Sequence, residues 1–250
     1  MDLLIDVGNS RIKWAFSQAG KLSAHGCAEH CCVVPSEASQ TWLTGEPPAR
    51  VVVANVAGDV YGRLLNDWAQ KQWQLNVEYV EVEPGYSDIA LAYPDPCKFG
   101  VDRWLAIIAA RNLSSTDVAV IDVGTAVTVD ILTAQGQHLG GVIMPGLNMM
   151  QQSLQQKTSA IQPLLKPQKN ANSALLGNDT ATGIVNGSLY AVAGAIEHLL
   201  FRIEAQTEGE LSVIISGGDA EAVQSELRIE SQHVPDLVLQ GMQLLKGVCE

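Results

Sequence analysis

Two short segments of the chain combine an aspartate with a glycine turn in a way that suits phosphate chemistry. The first runs from Asp6 to Lys13 (Asp-Val-Gly-Asn-Ser-Arg-Ile-Lys), and the second from Asp122 to Ala126 (Asp-Val-Gly-Thr-Ala). Glycine lets backbone N–H groups approach a phosphate closely, and a neighbouring carboxylate can hold Mg²⁺ through water. Either segment alone is also typical of a plain β-hairpin. Two matching turns in one chain favour nucleotide binding by both.

A third segment, Gly100-Val101-Asp102-Arg103, joins a carboxylate to a guanidinium at the predicted start of a helix. Asp102 is suited to accept a proton from an attacking hydroxyl, and Arg103 can bind a carboxylate through two parallel hydrogen bonds. The alternative is that Asp102 caps the helix and Arg103 is a solvated neighbour. Asp219, after Ser216-Gly217-Gly218, is equally compatible with an N-cap and with a contact to adenosine.

The two Asp-Val-Gly triplets also organise the chain. They begin at residues 6 and 122, so they are 116 residues apart, and each lies between two β-prone apolar runs. A strand, a glycine turn and a second strand therefore occur near the start of each half, as expected from duplication. The pattern predicts an α/β fold in two related halves, with a boundary in the polar run 113–117.

The remaining periodicity predicts further elements in both halves. Strands are expected over 51–54, 77–82, 139–144 and 213–215, and helices over 60–73, 102–112, 180–204 and 235–245. The stretch 151–172 is polar and is expected to be mobile in part.

Composition limits the partners. The net charge of −12 disfavours nucleic acid and anionic membranes as partners. Apolar runs fall short of the roughly 20 residues that span a bilayer, and the first residues lack the basic region of a secretory signal. Five cysteines, an odd number, favour a reducing cytoplasmic setting. The cluster His25, Cys27, His30, Cys31 and Cys32 lacks paired zinc-ligand spacing, so a metal site there is disfavoured.

On these segments the chain resembles the type III pantothenate kinases, members of the superfamily of acetate and sugar kinases, the heat-shock chaperone ATPase and actin. Three further matches are Gly140-Gly141, Pro145-Gly146 and Asn178-Asp179-Thr180. The segments occur in family order and cover nearly the whole chain. Ser10 and Ser216 stand where the family more often has threonine.

The resemblance implies a duplicated ribonuclease H-like (actin-like ATPase) fold. Its two mixed-sheet domains would span residues 1–115 and 116–250, with a nucleotide cleft between them. The implied activity is the phosphorylation of pantothenate by ATP, the first step of coenzyme A biosynthesis, in a cytoplasmic homodimer.

The resemblance also implies site residues. Asp102 would be the proton acceptor, Asp122 would bind a monovalent cation (K⁺ or NH₄⁺), and Asp6 would hold Mg²⁺ through water. The residues expected to contact ATP are Asp6, Val7, Gly8, Asn9, Ser10, Arg11, Ile12, Lys13 and Thr125. Those expected to contact pantothenate are Tyr93, Gly100, Val101, Asp102, Arg103 and Thr180.

Two alternatives compete with this interpretation. A kinase of the same superfamily could act on a sugar, but a neutral sugar offers no carboxylate to Arg103. An inert ATP-binding regulator would act through a protein partner, but such a protein need not keep all three of Asp6, Asp102 and Asp122, which are present.

Overall fold

A computed structural model describes residues 1–30, 33–83, 86–157, 175–205 and 210–245. The strands are β1 (Asp2–Val7), β2 (Arg11–Gln18), β3 (Lys21–Glu29), β4 (Arg50–Asn55), β5 (Val77–Tyr79), β6 (Asp117–Val123), β7 (Ala126–Leu132), β8 (His138–Pro145), β9 (Leu211–Ser216) and β10 (Gln232–His233). The α-helices are α1 (Ser36–Trp42), α2 (Asp59–Trp73), α3 (Val101–Leu113), α4 (Leu147–Lys157), α5 (Thr180–Glu204), α6 (Ala220–Gln224) and α7 (Leu237–Leu244).

The chain forms two compact units. The first comprises residues 1–113, 136–138 and the chain from Asp236 onward, and the second comprises 114–135 and 139–235. A single cut at 115/116 therefore does not describe the division, because α7 belongs to the first unit. Helix α7 packs on α3, and a Cβ on Gly241 would come within 3.0 Å of the Leu105 carbonyl. Only glycine allows the two helices to approach this closely.

The two units contain sheets of the same design. The first sheet has the order β3-β2-β1-β4-β5, and the second has the order β8-β7-β6-β9-β10. In each sheet the central strand (β1 or β6) pairs antiparallel with the next strand in sequence (β2 or β7). On its other side it pairs parallel with a later strand (β4 or β9). The duplication predicted from the Asp-Val-Gly triplets is confirmed, and so is the ribonuclease H-like fold class.

Each sheet is buried against helices of its own unit. In the first unit Leu3, Ile5 and Val7 project from one face of β1 and share a core with Trp42 and Leu65. Every second residue of a strand lies on the same face, which explains this set. In the second unit β6 and β7 share a core with α5. The turn at the end of each central strand is thereby attached to a fixed strand.

Most predicted elements are present, with ends shifted by a few residues. Helix α5 begins and ends as predicted, whereas β5 ends at Tyr79 instead of residue 82. Strands β3 and β10 and helices α1 and α4 were not predicted. The first residues of the polar stretch, up to Lys157, belong to α4, and residues 158–172 lie outside the described residues.

Within the described ranges, α5 alone is long and apolar enough to cross a membrane. Its residues Ile184, Val192, Ile196 and Leu200 are buried in the second unit. A core helix of a soluble protein has the same length and composition, so this feature is weak support for a membrane span.

Candidate active site

The first hairpin connects β1 to β2 in the first unit. Val7 pairs with Ile12 across the two strands, so four residues form the turn, and the N–H of Gly8 donates to the carbonyl of Arg11 at 2.9 Å. Asn9 and Ser10 in the turn are exposed. Residues of this turn are therefore open to a ligand.

The predicted metal-binding aspartate of this hairpin has a cation beside it. Asp6 is half-buried and is the register partner of Lys13 in the antiparallel β1–β2 pair. Directly opposed residues of antiparallel strands project from the same face with their Cβ atoms about 5 Å apart. The structure thus brings together the carboxylate and the lysine that the sequence assigned to one phosphate site.

The second hairpin connects β6 to β7 in the second unit and has a shorter turn. Val123 pairs with Val127, so three residues form the turn, and the N–H of Gly124 donates to the carbonyl of Ala126 at 3.0 Å. Thr125 is exposed and Asp122 is half-buried, like Asn9 and Asp6 in the first hairpin. The register partner of Asp122 is Thr128, a neutral residue.

Backbone from two other segments supports this second turn. The N–H of Gly146, just after β8, donates to the carbonyl of Thr125 at 3.0 Å, and the N–H of Asp219 donates to that of Val123 at 3.0 Å. A Cβ on Gly146 would lie within 3.0 Å of the Gly124 carbonyl. A Cβ on Gly217, whose φ is +105°, would lie equally close to Val123. These two glycines allow the backbone to reach the turn.

Arg103, on α3 of the first unit, is only 7% exposed. One Nη atom donates to the Tyr93 hydroxyl at 3.1 Å, and the guanidinium carbon lies 4.5 Å from the centre of the Phe99 ring. The alternative in which Arg103 is a solvated neighbour is therefore wrong. The structure brings together Tyr93 and Arg103, two of the residues expected to contact the substrate.

Asp102 lies in the first turn of α3, immediately before Arg103. Its Oδ1 accepts a hydrogen bond from the N–H of Arg103 at 2.8 Å, and a Cβ on Gly100 would lie 2.5 Å from that oxygen. Gly100 therefore provides the space for the carboxylate. A carboxylate in the first turn of a helix also interacts favourably with the helix dipole, so this geometry is compatible with both interpretations of Asp102.

Phe99 and His138 belong to the same cluster and were not assigned to the site from the sequence. His138 is fully buried, and its ring centre lies 5.1 Å from Phe99 and 6.3 Å from Tyr93. Its Nδ1 accepts from the N–H of Ala92 at 3.5 Å. Ala92 and His138 are 46 positions apart, so no local sequence pattern connects them. Tyr93 and Phe99, which shortly precede the Gly-x-Asp-Arg segment, could have suggested that aromatic rings line the site.

Thr180 and Asp219 lie in the second unit. Thr180 is exposed and begins α5, whose N-cap Asp179 accepts from the N–H of Thr182 at 2.8 Å and from its hydroxyl at 2.9 Å. These bonds, the backbone one first, lower the pKa of Asp179 from its ordinary value. Asp219 stands at the N-cap of α6, but within the described residues of that helix its carboxylate makes no capping hydrogen bond.

The histidines of the Cys/His cluster have separate partners. His25 Nδ1 pairs with Asp236 at 2.8 Å, and His30 Nε2 bonds the Gly8 carbonyl at 2.8 Å. Cys27 is exposed, and Cys31 and Cys32 lie outside the described residues. The described part of the chain contains no group of three or more side chains that could hold a metal ion.

The repeated sheets and aspartate–glycine hairpins define the fold class of the actin-like ATPases and sugar kinases. The fold is similar to that of a dehydratase activator from Clostridium difficile solved with ADPNP (TM-score 0.52, 16% identity, covering 97% of this chain and 91% of that one). It is also similar to a Baf family protein from Campylobacter jejuni (TM-score 0.57, 18% identity, 96% and 95% covered). At these identities the similarity shows the fold alone.

Within that class the chain belongs to the type III pantothenate kinase family, whose sequence model matches residues 2–202. A type III pantothenate kinase of Nitrosococcus oceani is 36% identical over 248 residues, covering 97% of this chain and 92% of the relative. The corresponding enzyme of Dechloromonas aromatica is 34% identical over 245 residues, with 98% of each chain covered.

Proposed function

We propose that Asp102 is the general base through which this kinase transfers phosphate from ATP to the hydroxyl of pantothenate. The chain is an ATP-dependent pantothenate kinase of coenzyme A biosynthesis, a phosphotransferase with an alcohol acceptor. The observation that carries the proposal is the position of Asp102 directly beside the buried Arg103, in one helix turn. One residue would bind the substrate's charge while its neighbour accepts the proton.

Arg103 would bind the carboxylate of pantothenate. A chain with a net charge of −12 must bind an anion through local cations. The guanidinium is stacked on Phe99 and hydrogen-bonded to Tyr93, so its planar donor group is already oriented. A fixed guanidinium can make two parallel bonds to a carboxylate, which the point charge of lysine cannot. Tyr93, Gly100 and Val101 would line the same site.

Asp102 needs only a hydroxyl within hydrogen-bonding reach and in line with the γ-phosphate. Phosphoryl transfer asks a protein mainly for positioning and for charge neutralisation, so a carboxylate base is sufficient. The hydrogen bond from the N–H of Arg103 fixes one carboxylate oxygen of Asp102. The carboxylate is thereby oriented before the substrate arrives.

Both hairpins would contribute to ATP binding. In the first hairpin, Asn9 and Ser10 are exposed, and Lys13 lies across the strand pair from Asp6. This set, with Asp6 holding Mg²⁺ through water, matches the donors and the carboxylate that a metal-bound triphosphate needs. From the second hairpin, the exposed Thr125 would contact the nucleotide. Bound Mg²⁺ would neutralise charge on the phosphates.

Asp122 would bind the monovalent cation, and the strand register supports this assignment. Asp6 is paired with Lys13, whereas Asp122 is paired with the neutral Thr128. The residue directly opposite the carboxylate is therefore neutral in the second hairpin and cationic in the first. A bound K⁺ or NH₄⁺ would offset the repulsion between Asp122 and anionic ligands. We further propose a cytoplasmic homodimer in which Thr180, exposed at the start of α5, reaches pantothenate.

The test is the variant Asp102→Asn, with Asp67→Asn on the exposed face of α2 as the matched control. Loss of a general base should lower kcat about 100-fold or more. ATP affinity, measured by calorimetry, should stay within about twofold, because the change is smaller than 0.5 kcal/mol when no ATP contact is lost. Normal turnover by Asp102→Asn would show that Asp102 is not the base.

A further inference from the structure

The side chain of His30 interacts with the first hairpin turn, although it lies 22 residues away in sequence. His30 follows β3 directly, and its Nε2 bonds the carbonyl oxygen of Gly8 at 2.8 Å. The backbone N–H of the same residue donates to the carbonyl of Ser10 at 3.2 Å. One residue thus binds two carbonyl groups of the turn that we propose to hold phosphate.

The chemistry of these two bonds determines how the turn is oriented. A carbonyl oxygen can only accept, so Nε2 of His30 must carry the proton. In a trans peptide the C=O of one residue and the N–H of the next point in opposite directions. With the carbonyls of Gly8 and Ser10 directed at His30, the N–H groups of Asn9 and Arg11 are directed away from it.

That orientation suits an anion. Backbone N–H groups that point at a common ligand bind phosphate, whereas carbonyl oxygens pointing the same way would repel it. Asn9 is exposed and Arg11 is half-buried, so this part of the turn is open to a ligand. His30 takes the two carbonyl groups that would otherwise be able to turn towards the phosphates.

The imidazole is itself held in place. Its ring lies 4.2 Å from the ring of Tyr61 on α2, and Tyr61 is 4% exposed. The Tyr61 hydroxyl donates to the carbonyl of Val33 at 3.3 Å. The contact between His30 and Tyr61 links the turn to a buried aromatic ring and thereby to the core of the first unit. The imidazole is therefore packed against the core.

The second hairpin shows that this function is particular to His30. The equivalent position, at the same offset of 116 residues, is Gly146, and its N–H donates to the Thr125 carbonyl at 3.0 Å. The backbone bond after the third strand is therefore common to both halves. The bond from a side chain to the turn occurs in the first half, where this position is His30, because glycine at position 146 has no side chain.

We infer that His30 is a positioning residue for ATP, which keeps the Asn9 and Arg11 N–H groups directed at the phosphates by binding the Gly8 and Ser10 carbonyls. The inference rests on the proposed nucleotide-binding role of the first hairpin. It predicts that losing the imidazole N–H weakens ATP binding selectively. The substrate-side residues around Arg103 should be unaffected.

The experiment compares His30→Leu with His30→Gln. Leucine removes the donor, whereas the glutamine amide nitrogen can replace Nε2–H. Because one hydrogen bond is lost, we expect His30→Leu to raise KM for ATP about five- to tenfold. KM for pantothenate should stay within about twofold, a change of less than 0.5 kcal/mol. His30→Gln should restore most of the affinity for ATP.

His25→Leu is the matched control, because it makes the same substitution on β3, the strand that leads to His30, at a residue paired with Asp236. It should leave both KM values unchanged. Equal effects of leucine and glutamine at position 30, or equal increases in both KM values, would overturn the inference, because a purely structural defect would not discriminate between the two substrates.

Asp6→Asn separates this inference from the function on which it rests. If Asp6→Asn leaves ATP affinity unchanged, the first hairpin does not bind the nucleotide and the proposed function itself fails. If Asp6→Asn weakens ATP binding while His30→Leu does not, only the role of His30 is refuted. Native tryptophan fluorescence of each variant, to which the buried Trp14 and Trp42 of the same unit contribute, verifies that the variants fold.

Discussion

The two aspartate–glycine hairpins occupy equivalent strands of their sheets but differ in the contacts that support their turns. The first has a four-residue turn held by the imidazole of His30, and its Asp6 lies opposite Lys13. The second has a three-residue turn held by backbone at Gly146 and Asp219, and its Asp122 lies opposite Thr128. Duplication fixed the sheet order in both units, and the residues around each turn then gave the two copies different chemistry.

The strongest test of this difference is an alanine at each of the equivalent positions 30 and 146. A Cβ on Gly146 would overlap backbone atoms of Gly124 and Thr125, which cannot move aside like a flexible side chain. We expect Gly146→Ala to lower the free energy of unfolding by about 3 kcal/mol or more. His30→Ala removes one hydrogen bond and a ring contact, and should cost about 1–2 kcal/mol.

Urea denaturation followed by far-UV circular dichroism measures both changes. All five tryptophans lie in the first unit, so their fluorescence reports separately on that unit. Gly217→Ala, at φ +105° and with Val123 equally close, should behave like Gly146→Ala. A smaller loss for Gly146→Ala than for His30→Ala would contradict the idea that backbone contact supports the second hairpin.

The next prediction concerns the cations. If Asp122 binds K⁺, turnover should rise when K⁺ replaces a large organic cation. We expect a rise of about tenfold, since a close charge pair near a protein surface is worth at least ~1.4 kcal/mol. Asp122→Asn should abolish this dependence, whereas Asp6→Asn should keep it while losing activity. The measurement is the initial rate as a function of K⁺ at saturating Mg·ATP, and a K⁺ response retained by Asp122→Asn would refute the assignment.

The smallest expected effect lies at the opposite end of the sheets. In the first unit Arg50 donates to Glu78 at 2.9 and 2.5 Å, and these hydrogen bonds hold the pKa of Glu78 below its ordinary value of 4.5. A lowered carboxyl pKa gives stability that is present above pH 4.5 and is lost as the pH falls through the lowered pKa. In the second unit, at the same end of the sheet, an uncharged contact joins the hydroxyls of Thr116 and Ser212 at 2.7 Å.

Glu78→Gln should therefore cost about 0.2–1 kcal/mol at pH 7, because the pair is largely exposed, and progressively less as the pH falls below 4.5. Ser212→Ala should cost the same throughout this pH range, since hydroxyls do not titrate there. Burial raises the pKa of the neighbouring Asp2, so each variant must be compared with the parent at each pH. A Glu78→Gln cost that is independent of pH would contradict the ion-pair account.

The sequence was informative where the relevant residues are close together. The Asp-Val-Gly repeat predicted both hairpins, and the Gly-x-Asp-Arg segment predicted that Asp102 and Arg103 lie together at the start of a helix. Strand β3 was missed because its exposed polar residues and the left-handed Ala24 (φ 49°), at a register irregularity opposite β2, break the alternation that marks a strand. Long-range contacts could not be predicted, such as those of His30 with Gly8, His138 with Ala92 and α7 with α3.

The most direct test of the account is the calorimetric titration of the kinase with the magnesium complex of a non-hydrolysable ATP analogue. We expect one nucleotide per chain, with affinity weakened about tenfold or more by Asp6→Asn and likewise by Asp122→Asn, because each variant removes a carboxylate proposed to hold a cation beside the phosphates. Two nucleotides per chain, or either variant binding like the parent protein, would show that the two hairpins do not contribute to one nucleotide site.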